Sequence, residues 1–258
     1  YSEDTDTLTA SIDESLAQDV SALAIAPPRI GNVEPLVGRL RQIGIPFVFI
    51  ARRSPNLAVD SVATDNKQIG YEATQHLIQL GHRRIIHAGF LDYTTGEDRA
   101  AGYLQAMKES NLESRIVELP LSQVLPPAED APAEYLFDEP GYQTVAQEVW
   151  QASNSYSPPT GIFCFNDLAA LGIYSALREL SVRIPQDVSL VSVDNLPTIR
   201  HLEVPLTTVA LPGKEIGYQG AEVLLRRLSG EEFPPQNHLL PGRLIKRLST
   251  ARAPLSQQ

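Results

Sequence analysis

The sequence predicts a doubly wound α/β protein, and three observations carry that prediction. Short apolar runs alternate along the chain with longer segments of three- and four-residue periodicity. The runs are nearly continuous rather than alternating apolar with polar, as strands covered on both faces of a parallel sheet require. Gly44 and Gly81 stop two of the periodic segments just before the next run begins. Strand followed by helix, repeated, gives a parallel sheet layered by helices.

Taken in order, Ala22-Leu23-Ala24-Ile25 is a short strand-like run ending at Pro27-Pro28. Val33 to Ile43 then reads as a helix, with Val33, Leu36, Val37, Leu40 and Ile43 on one face. Phe47 to Ile50 is the next strand. Helix Lys67 to Leu80 precedes strand Arg84 to Ala88, and helix Asp98 to Glu109 precedes strand Arg115 to Leu119. Helix Gly141 to Gln151 leads to strand Gly161 to Phe165, and helix Asp167 to Leu180 to strand Val188 to Val193. Two stretches interrupt the rhythm. Leu121 to Glu134 is rich in proline and acid and reads as an exposed loop, and Ser153 to Pro159 as a second.

Composition narrows the partners. The 258 residues are 43% hydrophobic and 20% charged, enough for one substantial core or two modest ones. Lys+Arg total 21 against Asp+Glu 31, a net charge of −10. DNA binding rests on cations set against phosphates, so a chain this acidic needs a separate basic module for any DNA role. No apolar run approaches the ~18 residues of a membrane span. The N-terminal YSEDTDTLTASIDES is acidic and polar, the reverse of a signal peptide. Cys164 is the only cysteine, which excludes an internal disulfide and fits a reducing cytoplasm.

In open parallel sheets, ligands bind beyond the carboxyl ends of the strands. Gly161 to Phe165 runs straight into Asn166-Asp167, and Ser189 to Val193 into Asp194-Asn195. Ile85 to Gly89 opens into a segment carrying Asp92, Tyr93, Thr95 and Arg99. Successive βα units thus aim an amide, a carboxylate and a guanidinium at one edge. That set suits a neutral polyhydroxyl ligand: the carboxylate accepts hydroxyl protons, the guanidinium donates, and the amide does both. Tyr93 or Phe137 would cover an apolar ring face. Asp167 joins them as a candidate effector contact; helix capping is the competing reading for Asn166 and Asp194, and Asp167 also suits the positive end of a helix.

Enzyme signatures are missing. The five histidines (76, 82, 87, 201 and 238) are dispersed, without HExxH or paired-cysteine spacing. No G-x-S-x-G elbow, Walker-type loop or G-x-G-x-x-G fingerprint occurs. The sequence therefore predicts no enzyme, metal or cofactor. His82, in Leu80-Gly81-His82-Arg83-Arg84, sits at a helix-to-strand turn and reads as structural.

These residues resemble the lactose/galactose-repressor family. Its segments match Thr64-Asp65-Asn66 with Gly70, then His76 to Ile85, Arg99-Ala100-Ala101-Gly102-Tyr103 and Phe163 to Asp167. They continue through Ile184 to Asn195 and Pro205 to Val209, and end at Leu244 to Thr250. The resemblance implies two α/β subdomains of periplasmic-binding-protein type I, joined by three crossovers, with a small sugar-like effector in the cleft between them. It divides the chain into 1–64 plus 212–240 and 65–211 plus 241–258. It implies effector contacts from Arg99, Asn166 and Asp194, puts Tyr93, Thr95 and Phe137 where the family varies specificity, and adds Arg52 after the second strand. It further implies a homodimer that reaches DNA only through a helix-turn-helix, which nothing in this sequence resembles.

There are departures from the family. By the resemblance the chain begins near the end of the core's second strand, without its usual first strand and first helix, a β-α unit of roughly 30 residues. Where the family often shows Asp-Arg, this chain has Ala51-Arg52. Ala26 is likewise apolar at a strand end, so the N-terminal half offers little polar recognition. A transport-system sugar-binding protein is the alternative with the same architecture. Pro185 to Leu190 and Lys246 to Thr250 resemble the regulators more closely.

Overall fold

A computed structural model describes residues 5–28, 32–54, 56–91, 94–119, 140–153 and 158–254. The chain divides into two compact units, Tyr1–Asp65 with Pro212–Pro241 and Asn66–Leu211 with Gly242–Gln258. It therefore passes from one unit to the other three times.

In the first unit, α1 (Thr5–Ala17), β1 (Leu23–Ile25), α2 (Glu34–Ile43), β2 (Phe47–Ala51) and β3 (Ser61–Thr64) follow one another. The later segment returns with α7 (Gly213–Leu228) and β9 (Asn237–Leu240). The sheet is all parallel, in the order β1-β2-β3-β9. Helix α2 forms where the periodicity places it. Glu34 and Pro35 occupy its first turn, and Leu36, Val37 and Leu40 face the core. It stops because Gly44 adopts φ 78° and turns its N–H back to the carbonyls of Leu40 and Arg41, a conformation that favours glycine.

Helix α1 corrects the reading of the N-terminus as the tail of a strand. Leu8 and Ile12, four residues apart, are buried against Val37, Leu40 and Phe49. The stripe is short and set among acidic and hydroxyl residues, so it is hidden in the composition. Helix α7 was not assigned from periodicity either. Ile216, Gly220 and Val223 are its buried face, beside Val48 and Val62.

The second unit holds α3 (Asn66–Gln79), β4 (Ile85–Gly89), α4 (Thr94–Glu109), β5 (Arg115–Glu118), α5 (Pro140–Ser153) and β6 (Gly161–Cys164). It continues with α6 (Asp167–Glu179), β7 (Ser189–Asp194), a 3-10 turn (Pro197–Arg200), β8 (Thr207–Ala210) and β10 (Arg243–Ile245). The sheet order is β10-β8-β7-β6-β4-β5, parallel except for the antiparallel edge strand β10. Successive strand residues point to opposite faces. Ile162 and Cys164 join Tyr142, Val145 and Ile173 under α5 and α6, while Phe163 joins Ile69, Leu77, Tyr103 and Met107 under α3 and α4. The predicted helices and strands are present with their ends shifted, most at α4, which begins at Thr94 rather than Asp98. The loop predicted over Leu121 to Glu134 lies outside the described residues, as do 154–157.

Helices α3 and α4 meet at glycines. A Cβ on Gly70 would run into the carbonyl of Arg99, and one on Gly102 into that of Lys67. This contact lets the backbone of α4 lie against α3 and so fixes where Arg99 starts. The C-terminal segment is tied back by His82, as expected of a structural residue. Its Nδ1 lies 3.0 Å from Thr160 Oγ1 and its Nε2 3.0 Å from the carbonyl of Ala251.

Candidate functional site

The second unit's strand order reverses between β4 and β6: β5 lies outside β4 in one direction, and β7 and β8 beyond β6 in the other. Such a switch point leaves a crevice beyond the carboxyl ends of the strands, where ligands of open α/β sheets bind. The polar residues here gather at that edge.

Arg99, on the second turn of α4, is 3% exposed. A guanidinium so deep must be met by acceptors on several sides. Its Nε donates to Asn66 Oδ1 at 3.0 Å and one Nη to the carbonyl of Phe165 at 2.6 Å. The group lies over the Phe165 ring, 4.5 Å from its centroid. The other Nη stands 3.9 Å from Asp194 Oδ1. One side chain thus joins the start of α3, the end of β6 and the end of β7.

Asn166 is the N-cap of α6, with its Oδ1 accepting from the N–H of Ala169 at 2.8 Å. The capping role is real, and it uses the oxygen of a residue that is itself buried. Asp167 is placed differently from the sequence expectation. Its side chain is fully buried beneath the edge, not open to a ligand. It accepts from Ser192 Oγ at 2.5 Å, Thr208 Oγ1 at 2.8 Å and the Leu196 N–H at 2.6 Å. Burial pushes its carboxyl up, and those donors together with Arg247 pull it back down. Asp167 is a support, carried inward because the first residue of α6 follows a buried strand end.

Asp194 ends β7 with its side chain 27% exposed. Its φ is 116° and that of Asn195 is 59°. Non-glycine residues at such φ cost on the order of 1–3 kcal/mol each, so the surroundings must hold them. Thr95 is half-buried in the first turn of α4, four residues before Arg99 and on the same helix face. Arg52 belongs to the first unit, where it donates to the carbonyl of Pro27 at 2.8 Å and ties the ends of β1 and β2. Tyr93 and Phe137 lie outside the described residues.

Asn66, Phe165, Ser192 and Thr208 also belong to this edge and were not singled out from the sequence. Ser192 and Thr208 were legible in one respect, as hydroxyls at buried positions of strands. Asn66 and Phe165 flank strand ends, and only the position of Arg99 reveals what they contact.

Beneath the edge, His87 of β4 is fully buried and stacked on Phe163, centroids 4.5 Å apart. Its Nδ1 is 3.0 Å from the Phe163 carbonyl and must donate to it, so Nε2 is a bare acceptor, without a partner. Burial, and then the charge of Arg99, hold its pKa down at about 4. Cys164 is buried too, and burial pushes its thiol up, so it is no nucleophile.

Two parallel-sheet α/β units traversed three times by one chain, with a polar switch-point edge, define the class of periplasmic-binding-protein folds. The family of periplasmic binding protein-like domains matches residues 74–250, and the chain belongs to it. Over 224 residues it is 32% identical to the HTH-type transcriptional repressor PurR of Escherichia coli O1:K1, covering 86% of this chain and 61% of the repressor. The chain thus spans about three-fifths of the length of that relative. A LacI family transcriptional regulator from Enterococcus faecium, solved with bound ribose, superposes with a TM-score of 0.75. Identity there is 26%, over 95% of this chain and 85% of that one. The transcriptional regulator CelR in its cellobiose complex gives a TM-score of 0.72 at 26% identity, over 93% of this chain and 69% of that one. These relatives are transcriptional regulators, not enzymes, and the chain is a core of the lactose/galactose-repressor type.

The buried histidines predict an acid-sensitive fold. His87 and His76 are both lowered to about 4, burial being the main cause for each. The unfolded chain, with histidine near 6.5, takes up protons first as pH falls, so stability is lost from about pH 6.5 downward. The loss attributable to His87 between pH 7 and pH 5 is about 2 kcal/mol. Urea unfolding at the two pH values measures it, and His87→Phe should recover that share. Equal stability at both pH values in the unsubstituted protein would contradict the assignment.

Proposed function

We propose that this chain is the ligand-sensing, dimerising core of a cytoplasmic transcription repressor, and that its effector is a small neutral, sugar-like molecule bound at the carboxyl edge of the second unit. One observation carries the reading: Arg99 and Asp194 stand 3.9 Å apart at the strand-order switch point, with the Asn166 amide on the adjoining strand end. A paired cation and anion have no net charge to offer an ionic ligand. Together with an amide they match hydroxyls or a cyclic amide, each of which both donates and accepts. The ribose and cellobiose in the two related structures support the sugar-like class.

Asp194 and Asn166 are the direct contacts in this reading, Thr95, Tyr93 and Phe137 shape specificity, and Arg99 orients the set. Effector binding acts on DNA affinity by favouring one of two states of the core, a coupling of about 1–3 kcal/mol in typical cases. In this reading DNA contact falls to a helix-turn-helix module; the name of the Escherichia coli relative supports this, and the net charge of −10 opposes binding by this chain itself. A thermal-shift screen of D-ribose, cellobiose, nucleosides and phosphorylated sugars identifies the class, with neutral compounds expected to stabilise. Calorimetry with the best of them then tests the site. Asp194→Ala is expected to lower affinity tenfold or more, the range of a hydrogen bond to a charged group, ~1.5–3 kcal/mol. Unchanged affinity would remove Asp194 from the site.

Self-association has support of its own. On α7, Tyr218 is 73%, Leu225 66% and Leu228 46% exposed, along one outward face with Ala221. An exposed apolar stripe of this kind marks an interaction surface. Sedimentation at micromolar concentration should show a dimer that Tyr218→Glu with Leu225→Glu turns into a monomer. A dimer that survives both substitutions would place the interface elsewhere.

A further inference from the structure

The matched segment Leu244 to Thr250 has a part that the effector reading leaves unused. Arg247, just past β10, reaches back across the sheet edge. One Nη donates to Asn195 Oδ1 at 2.6 Å and the other to the carbonyl of Leu206 at 2.7 Å, while its own N–H donates to Thr207 Oγ1 at 2.9 Å. The guanidinium is therefore fixed to the residue just before β8 and grips the residue immediately after Asp194.

The gripped turn is the strained one, with positive φ at both Asp194 and Asn195. It is held from below as well. The Asn195 N–H donates to Thr208 Oγ1 at 3.3 Å, the same hydroxyl that donates to the buried Asp167, and the Leu196 N–H donates to the second oxygen of Asp167. Pairing between β7 and β8 ends at Asp194 opposite Ala210. Beyond that point no strand ladder fixes the backbone, and side chains must do it. Relaxing the turn to negative φ rotates the Asp194 carboxylate away from Arg99.

We infer that Arg247 is a positioning residue for effector recognition: it clamps Asn195 so that the adjoining Asp194 presents its carboxylate beside Arg99. This rests on the reading of Asp194 as an effector contact. It adds that the C-terminal segment, 52 residues on from Asn195, is a working part of the sensing edge. Asparagine suits position 195 twice over, because it tolerates the left-handed backbone and its carbonyl oxygen is the clamp's acceptor.

The clamp is tested on the unliganded protein, so its fate does not depend on which compound binds. Arg247→Met keeps the aliphatic stem and removes the grip, Asn195→Ala removes the acceptor, and Asn195→Asp keeps an acceptor of the same reach. Amide hydrogen exchange at Asn195 and Leu196 is expected to speed up at least tenfold in Arg247→Met and Asn195→Ala. Val191 and Val193 should exchange as before, and Asn195→Asp should match the original protein. Crystal structures of the two disrupting variants should show Asp194 with negative φ. Exchange unchanged at 195 and 196, with Asp194 still at positive φ in both, would overturn the inference. So would an Asn195→Asp variant as disturbed as Asn195→Ala. Asp194→Ala in calorimetry bears on the effector reading alone, so the two can fail separately.

Discussion

A guanidinium that is 3% exposed cannot sit in a protein edge unless acceptors meet it, and the arrangement of the second unit follows from meeting the one on Arg99. Asn66 brings the first residue of α3, Phe165 brings the end of β6 with both carbonyl and ring, and Asp194 brings the end of β7. Three elements far apart in sequence are thereby held at one point. The close crossing of α3 and α4 at Gly70 and Gly102 is what allows the side chain to start near enough. Charge neutrality at the edge is a consequence, since the carboxylate that balances Arg99 is the one left partly open.

Around that pair the polar residues separate into two layers. The upper layer, Asp194 and Asn166, lies at the ends of β7 and β6, with the Asp194 carboxylate partly open. The lower layer, Asp167 with Ser192 and Thr208, is closed and fully satisfied. A buried carboxylate with three donors is costly to disturb, because any lost partner leaves a charge without compensation. The lower layer makes the strained Asp194–Asn195 backbone tolerable. Strain at this turn, held by a rigid base, is a form of preorganisation: the carboxylate is oriented without a ligand.

Much of the fold was legible because its signals are local. Continuous apolar runs such as Gly161 to Phe165, helical stripes such as Leu36, Val37 and Leu40, and a stop at Gly44 each need only a few neighbouring residues to read. Helix α1 was missed because Leu8 and Ile12 are its only buried residues, in an acidic stretch. Convergence of Arg99, Asn166 and Asp194 on one edge was also legible, since parallel strands share their carboxyl ends. What escaped was depth and distance. Nothing in Asn166-Asp167 says that the first side chain stays at the edge while the second turns under it. Nothing near Asn195 announces Arg247, which arrives through the pairing of β10 with β8.

The proposed function requires the effector to be held at the carboxyl edge of β6 and β7. A co-crystal structure with the compound that stabilises the protein most in the thermal-shift screen tests this most directly. The predicted result is ligand density at that edge, with polar atoms within hydrogen-bond distance of the Asp194 carboxylate and the Asn166 amide nitrogen. Full occupancy of the compound elsewhere, with both groups facing only water, would contradict it.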